Sequence, residues 1–137
     1  MRVLFDTNVL LDVFEARQPH AATGVALFAA VERGRLNGVI GATSITTLHY
    51  LLRRSLGRSA SDSAIALLLQ MFDVAVVDRA VLTRALDGHW RDFEDAVLHE
   101  AAVTDGVEGI VTRDGADFDA SRIPVFSPAE LCRNLDL

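Results

Sequence analysis

Arg2-Val3-Leu4-Phe5-Asp6-Thr7-Asn8-Val9-Leu10-Leu11-Asp12 is the stretch whose reading decides the fold. Val3-Leu4-Phe5 is a short apolar run of good β-formers, the pattern of a buried strand. Asp6, Thr7 and Asn8 then interrupt it, and Val9-Leu10-Leu11 with Val13 and Phe14 resume the apolar pattern at helical spacing. The stretch predicts strand, turn and helix, with Asn8 as the helix N-cap. Ligands of open α/β sheets bind beyond the carboxyl ends of the strands. Asp6, placed there by the first strand, is therefore a candidate for chemistry as well as for capping.

Working outward, the same alternation recurs. A helix is expected over Ala21 to Arg33, a strand at Val39-Ile40-Gly41-Ala42, and a helix capped by Thr43 or Ser44 running to Leu56. Ser61-Asp62 should start the next helix, Val74 to Val77 form a third strand and Arg79 to Leu86 a further helix. Asp92 should cap a helix reaching Thr104, before a strand at Gly109 to Thr112, a turn at Arg113-Asp114-Gly115, a strand near Val125 and a short helix from Pro128. Strands alternating with helices imply one α/β domain with a central, mostly parallel five-stranded sheet flanked by helices in three layers.

Composition narrows the class. The 137 residues suit one domain, and half of them are apolar. No apolar run approaches the ~20 residues of a membrane span, and Asp6 breaks any leader-like segment. Cys132 stands alone, which excludes a disulfide framework and a cysteine metal site. A cytoplasmic protein is the expectation.

The net charge of −6 is unevenly spread. Residues 1–60 carry seven arginines against four acids, whereas residues 87–119 carry ten acids against Arg91 and Arg113. Three acidic loci fall where the architecture can bring them together: Asp6 after the first strand, Asp95 in the first turn of the helix opened by Asp92, and Asp114 after the fourth strand with Asp117 behind it. Clustered carboxylates repel unless a cation joins them. As hard oxygen donors they suit Mg²⁺ or Mn²⁺ rather than zinc. Such an ion can activate water and stabilise charge on a phosphodiester. Taken singly, each acid has a plainer role: Asp92 as a cap, Glu94 and Asp95 as complements to the helix dipole, Asp114 as a turn residue.

Taken together, Val3-Leu4-Phe5-Asp6-Thr7-Asn8, Asp92-Phe93-Glu94-Asp95-Ala96 and Ile110-Val111-Thr112-Arg113-Asp114 followed by Asp117-Phe118 resemble the PIN domain. More narrowly, they resemble its bacterial single-domain branch, which includes the VapC-type toxins, and the resemblance covers essentially the whole chain. The resemblance implies a Mg²⁺- or Mn²⁺-dependent endoribonuclease acting on RNA, with Asp6, Asp95 and Asp114 catalytic and Asp117 joining them as metal ligands. Asn8, Thr112 and Arg113 would support the site or contact substrate. It also implies a cognate antitoxin that occludes the acidic groove, and a homodimer.

One position departs from the pattern. The family usually carries a further acid in the helix after the second strand, and here that position is Thr47, with no acid between Glu32 and Asp62. The alternative reading is thus a PIN-like domain of weakened turnover that binds RNA or protein. An aspartyl-phosphate enzyme built on Asp6 fits less well, because Asn8 stands where its second Asp belongs and the chain has no lysine. His49, between Leu48 and Leu51, is expected as a partly buried packing residue. His99, four residues after Asp95, is expected on an exposed helix face. Arg53, Arg54 and Arg58 are candidate phosphate contacts.

Overall fold

The computed structural model describes residues 1–137. Its strands are β1 (Arg2–Phe5), β2 (Asn37–Gly41), β3 (Asp73–Ala75), β4 (Gly109–Val111) and β5 (Val125–Phe126). Its helices are α1 (Thr7–Phe14), α2 (Ala21–Glu32), α3 (Ala42–Leu56), α4 (Arg58–Met71), α5 (Arg79–Asp87), α6 (Phe93–Asp105) and α7 (Pro128–Asn134), with a 3-10 turn at Gly115–Phe118. The strands form one sheet in the order β3-β2-β1-β4-β5, and every neighbouring pair is parallel.

The alternation of side chains along β1 explains the three layers. Val3 and Phe5 point into one core, with Ile40, Val111 and apolar residues of α1 to α4 and α7. Leu4 points into the other, with Val39, Ile110 and residues of α5 and α6. Strands covered on both faces must be apolar throughout, and Val3, Leu4, Phe5, Val39, Ile40, Ile110 and Val111 are all fully buried. Phe5, Phe28 and Phe72 meet edge to face at 5.1 to 6.4 Å and fill the first core. On the second side, a Cβ on Gly41 would come within 2.6 Å of Leu98 Cδ1. A bare glycine at the end of β2 thus lets α6 lie close to the sheet.

Several boundaries differ from the sequence expectation, each for a local reason. The first helix is capped by Asp6 and not by Asn8, which lies one residue inside it. The third helix starts at Ala42 directly from Gly41 with no side-chain cap, so neither Thr43 nor Ser44 serves. The fourth begins at Arg58, because Gly57 at φ +90° turns the chain straight into it, while Ser61 is buried against α3. The third strand stops at Ala75, paired with Gly41, the last residue of its only neighbour. Val76 and Val77 have no strand beside them to continue the ladder.

Register fixes what the sheet presents at its carboxyl edge. Phe5 pairs with Val111, so the residues that follow, Asp6 and Thr112, leave adjacent strands side by side. The Asp6 amide still donates to the Val111 carbonyl at 2.9 Å, and Thr112 donates to Phe126 at 3.0 Å.

Candidate functional site

Asp6 is gripped from three directions. Its Oδ1 accepts the Thr7 amide at 2.7 Å, the capping contact of α1. Its Oδ2 accepts the Thr112 hydroxyl at 2.7 Å and the Asn8 amide nitrogen at 3.3 Å. Burial pushes the Asp6 carboxyl above the usual range; the Thr112 and Thr7 hydrogen bonds oppose that shift, and the charges of Asp114 and Glu94 add to it.

Asn8, free of capping duty, bridges two strand ends. Its Nδ2 shares two hydrogens among Asp6 Oδ2, Thr112 Oγ1 at 3.3 Å and Asp114 Oδ2 at 3.0 Å. Its Oδ1 accepts the Arg113 amide at 3.3 Å. Thr112 Oγ1 in turn accepts the Asp114 amide at 3.0 Å. The two polar side chains hold Asp6 and Asp114 in one framework despite their like charge.

Asp95 approaches from the opposite layer. Asp92 caps α6 by accepting the Asp95 amide at 3.1 Å, which sets Asp95 in the first turn. Its carboxyl is pushed up to about 7, first by desolvation and then by the charges of Asp92, Asp6, Asp117 and Glu94. Asp95 and Asp117 line one cleft of about 290 Å³ with Trp90, Asp92, Ala116 and Asp119. The 3-10 turn brings Asp117 there, its amide donating to the Asp114 carbonyl at 2.9 Å.

The acids expected from the sequence therefore gather at one edge, Asp6 with Asp114 through Asn8, and Asp95 with Asp117 across the cleft. No three His, Cys, Asp or Glu side chains close into a finished metal cage. The donor set still fits Mg²⁺ or Mn²⁺: such ions take hard oxygens, and Mg²⁺ commonly rests on one or two carboxylates while keeping several waters. A carboxyl held near 7 by desolvation and by its acidic neighbours is one whose ionised form lacks a compensating charge.

Other expectations change. Arg113 is already engaged: its Nε and Nη2 donate to Asp12 at 2.5 and 3.3 Å. Asp12 is a buried carboxylate that the sequence reading passed over, although an acid amid Val9, Leu10, Leu11 and Val13 is itself the signal. His99 is not on an exposed face, nor does it pair with Asp95. It is fully buried, its Nδ1 lies 3.0 Å from Glu100 and its Nε2 accepts the Arg122 amide at 3.1 Å. Helix α6 is covered on more sides than its polar residues suggest, by Trp90 and by the strand-β5 approach. His49 is half-buried and bonded to Asp62 at 2.7 Å, so it ties α3 to α4.

Known proteins share this architecture. A family model described as PIN domain matches residues 2–116. The chain is 25% identical over 135 residues to Ribonuclease VapC1 of Aquifex aeolicus, covering 96% of this chain and 93% of that one. Among solved structures it is similar to the Sarcin-Ricin loop cleaving toxin VapC20 of Mycobacterium tuberculosis (TM-score 0.71, 20% identity, 86% of this chain and 94% of that one). It is also similar to a toxin-antitoxin complex from Klebsiella pneumoniae (TM-score 0.68, 22% identity, 92% and 97%). At these identities the structures establish a shared fold.

Proposed function

The chain belongs to the PIN-domain family, and from that premise we propose that it is a divalent-metal-dependent endoribonuclease, the toxin of a toxin–antitoxin pair. The observation that carries this reading is the unbalanced acidic edge, with Asp95 raised to about 7 beside Asp6 and Asp117. Such repulsion is relieved by a proton or by a bound cation, and at a strand-end cleft the cation is the functional reading. Ribonuclease VapC1 as a relative, and toxin structures as neighbours, support the substrate class and the biological setting.

Asp6 and Asp95 would hold the cation, with Asp114 and Asp117 completing the acidic set. A bound Mg²⁺ or Mn²⁺ would supply an activated water and neutralise charge on the phosphodiester. The chain's own part is positioning. Thr112 and Asn8 fix the Asp6 and Asp114 carboxylates, and Arg113 fixes Asn8 through its backbone amide. The Arg113 guanidinium is braced by Asp12, and its Nη1 remains to meet an RNA phosphate. Arg53, Arg54 and Arg58, at the end of α3 and the start of α4, are further candidate phosphate contacts, and Arg54 lies 5.7 Å over the ring of exposed Tyr50. A cationic, aromatic surface suits single-stranded nucleic acid.

The same reading gives the protein a small cognate antitoxin that covers the acidic edge, and a second copy as homodimer. Exposed Val76, Leu82, Leu86 and Phe93, the last between Asp92 and Glu94, support protein contacts bordering the acidic edge. No helix is long and apolar enough to cross a membrane. The test is cleavage of single-stranded and structured RNA by the purified chain with Mn²⁺ or Mg²⁺, against Asp6→Asn and Asp95→Asn. Cleavage that needs the ion and disappears in both variants supports the proposal. RNA binding without cleavage would move the assignment to the binding-domain alternative, which the absence of an acid at Thr47 favours.

A further inference from the structure

The chain has one tryptophan, and it stands beside the acids. Trp90 lies in the link between α5 and α6, just after His89 takes a positive φ of 55°. It lines the same cleft as Asp95 and Asp117. Its ring centroid is 4.7 Å from that of His99 and 5.8 Å from that of Phe118, so α6 and the 3-10 turn brace the indole. His99 is fixed in turn, fully buried between Glu100 at Nδ1 and the Arg122 amide at Nε2. Trp90 nonetheless stays half-buried, and its uncovered surface is the part that lines the cleft.

The polar end of the indole is free as well. Its Nε1–H donates to no group of the chain, and no unpartnered side-chain nitrogen is buried, so this donor reaches solvent. Gly88 keeps it open: a Cβ there would come within 3.0 Å of Trp90 Cδ1 and 3.3 Å of Nε1. Gly88 has an ordinary helical φ of −73°, so glycine supplies clearance there and not backbone freedom. Arg91 lines the same cleft, exposed and in no ion pair with its acids. A tryptophan that serves packing alone is covered and has its N–H bonded. A braced ring, an unused donor and an unpaired cation are instead what an unstacked nucleotide meets on a single-strand surface.

We propose that Trp90 and Arg91 form a nucleotide subsite flanking the scissile phosphodiester, which selects RNA with an unpaired base at that place. The inference rests on the ribonuclease reading above and narrows its substrate to single-stranded or loop RNA. The base packs on the indole surface in the cleft, Nε1–H donates to an oxygen of the nucleotide, and Arg91 takes a neighbouring phosphate. A base inside a duplex offers no free face to the ring.

Because Trp90 is the only tryptophan, its fluorescence reports on the subsite directly. The probe is a single-stranded RNA oligonucleotide, with its blunt duplex for comparison, titrated with Mg²⁺ into Asp6→Asn to prevent cleavage. Saturable quenching by the single strand and little by the duplex are expected. In steady-state cleavage, Trp90→Leu should raise KM for the single strand about ten-fold, the loss of one stacked base. Trp90→Phe keeps a ring and should raise it only about three-fold. Gly88→Ala leaves the indole in place but crowds its edge, so it should also raise KM and serves if Trp90→Leu folds poorly. Mn²⁺ affinity should match the wild type in all three, since no acid is moved. Wild-type KM in Trp90→Leu, or bound RNA that leaves the fluorescence unchanged, overturns the subsite while wild-type cleavage keeps the nuclease reading. Equal quenching by duplex and single strand overturns the selection of an unpaired base. Loss of Mn²⁺ binding in Trp90→Phe would reduce Trp90 to a scaffold for the acids. A wild-type chain that neither binds nor cleaves RNA overturns both readings.

Discussion

Thr112 donates its hydroxyl to Asp6 across the seam between β4 and β1, at 2.7 Å. One side chain thereby sets the rotamer of the first acid while its oxygen also receives the Asp114 amide. Thr112 is 1% exposed, so water cannot replace either bond. Thr112→Val keeps the shape and removes both. Mn²⁺ affinity should fall about ten- to a hundred-fold, and urea unfolding should show a loss of only about 1 to 3 kcal/mol. Thr112→Ser should retain most of the affinity.

Asp95 makes the stability of the metal-free chain depend on pH in an unusual direction. Its carboxyl ionises near 3.8 when unfolded and near 7 when folded. Between these values the folded state holds more protons, so the contribution of Asp95 to stability declines as pH rises through that window. Asp95→Asn should remove this slope from urea-unfolding free energies measured between those pH values. Mn²⁺ should counter it in the wild type, since the ion binds the ionised form and its affinity rises with pH.

His99 works in the opposite sense. Burial lowers its basicity from 6.5, despite the neighbouring Glu100. The unfolded chain then binds the extra proton first, so stability is lost as pH falls below 6.5 toward the folded value. The difference in unfolding free energy between wild type and His99→Gln should shrink on acidification, which separates this effect from that of Asp95.

Glu100 joins that histidine to the segment carrying Asp117. Arg122 Nη2 reaches both of its carboxylate oxygens, at 3.0 and 2.7 Å. Glu100→Ala would leave the buried His99 Nδ1–H without an acceptor and should cost about 3 kcal/mol by urea unfolding. Glu100→Gln keeps an acceptor there and should cost about 1 kcal/mol.

Arg2 provides a control far from the site, at the amino end of the sheet. It pairs with Asp105 through Nε and Nη2, at 2.7 and 3.1 Å, and also with Asp73, which together hold its pKa above the ordinary arginine value. The group is partly exposed, so Arg2→Met should cost only about 1 kcal/mol. Mn²⁺ binding and RNA cleavage should not change.

Local chemistry determined much of this protein on its own. Runs such as Val3-Leu4-Phe5 and Ile110-Val111 read as strands covered on both faces, and the acids that follow them, Asp6 at once and Asp114 three residues on, emerge at the same edge of a parallel sheet. Asp92 announced its helix because a cap acts within one turn. What the linear pattern could not decide was anything that depends on which strands are neighbours. Asn8 looked like a cap, since by spacing it could be one. It became a bridge once β4 lay beside β1 and brought Thr112 and Asp114, more than a hundred residues away, within reach. The burial of His99 and the Asp12–Arg113 pair have the same origin. Each joins side chains from separate elements whose approach is fixed by strand order and helix packing, and no periodicity along the chain records that distance.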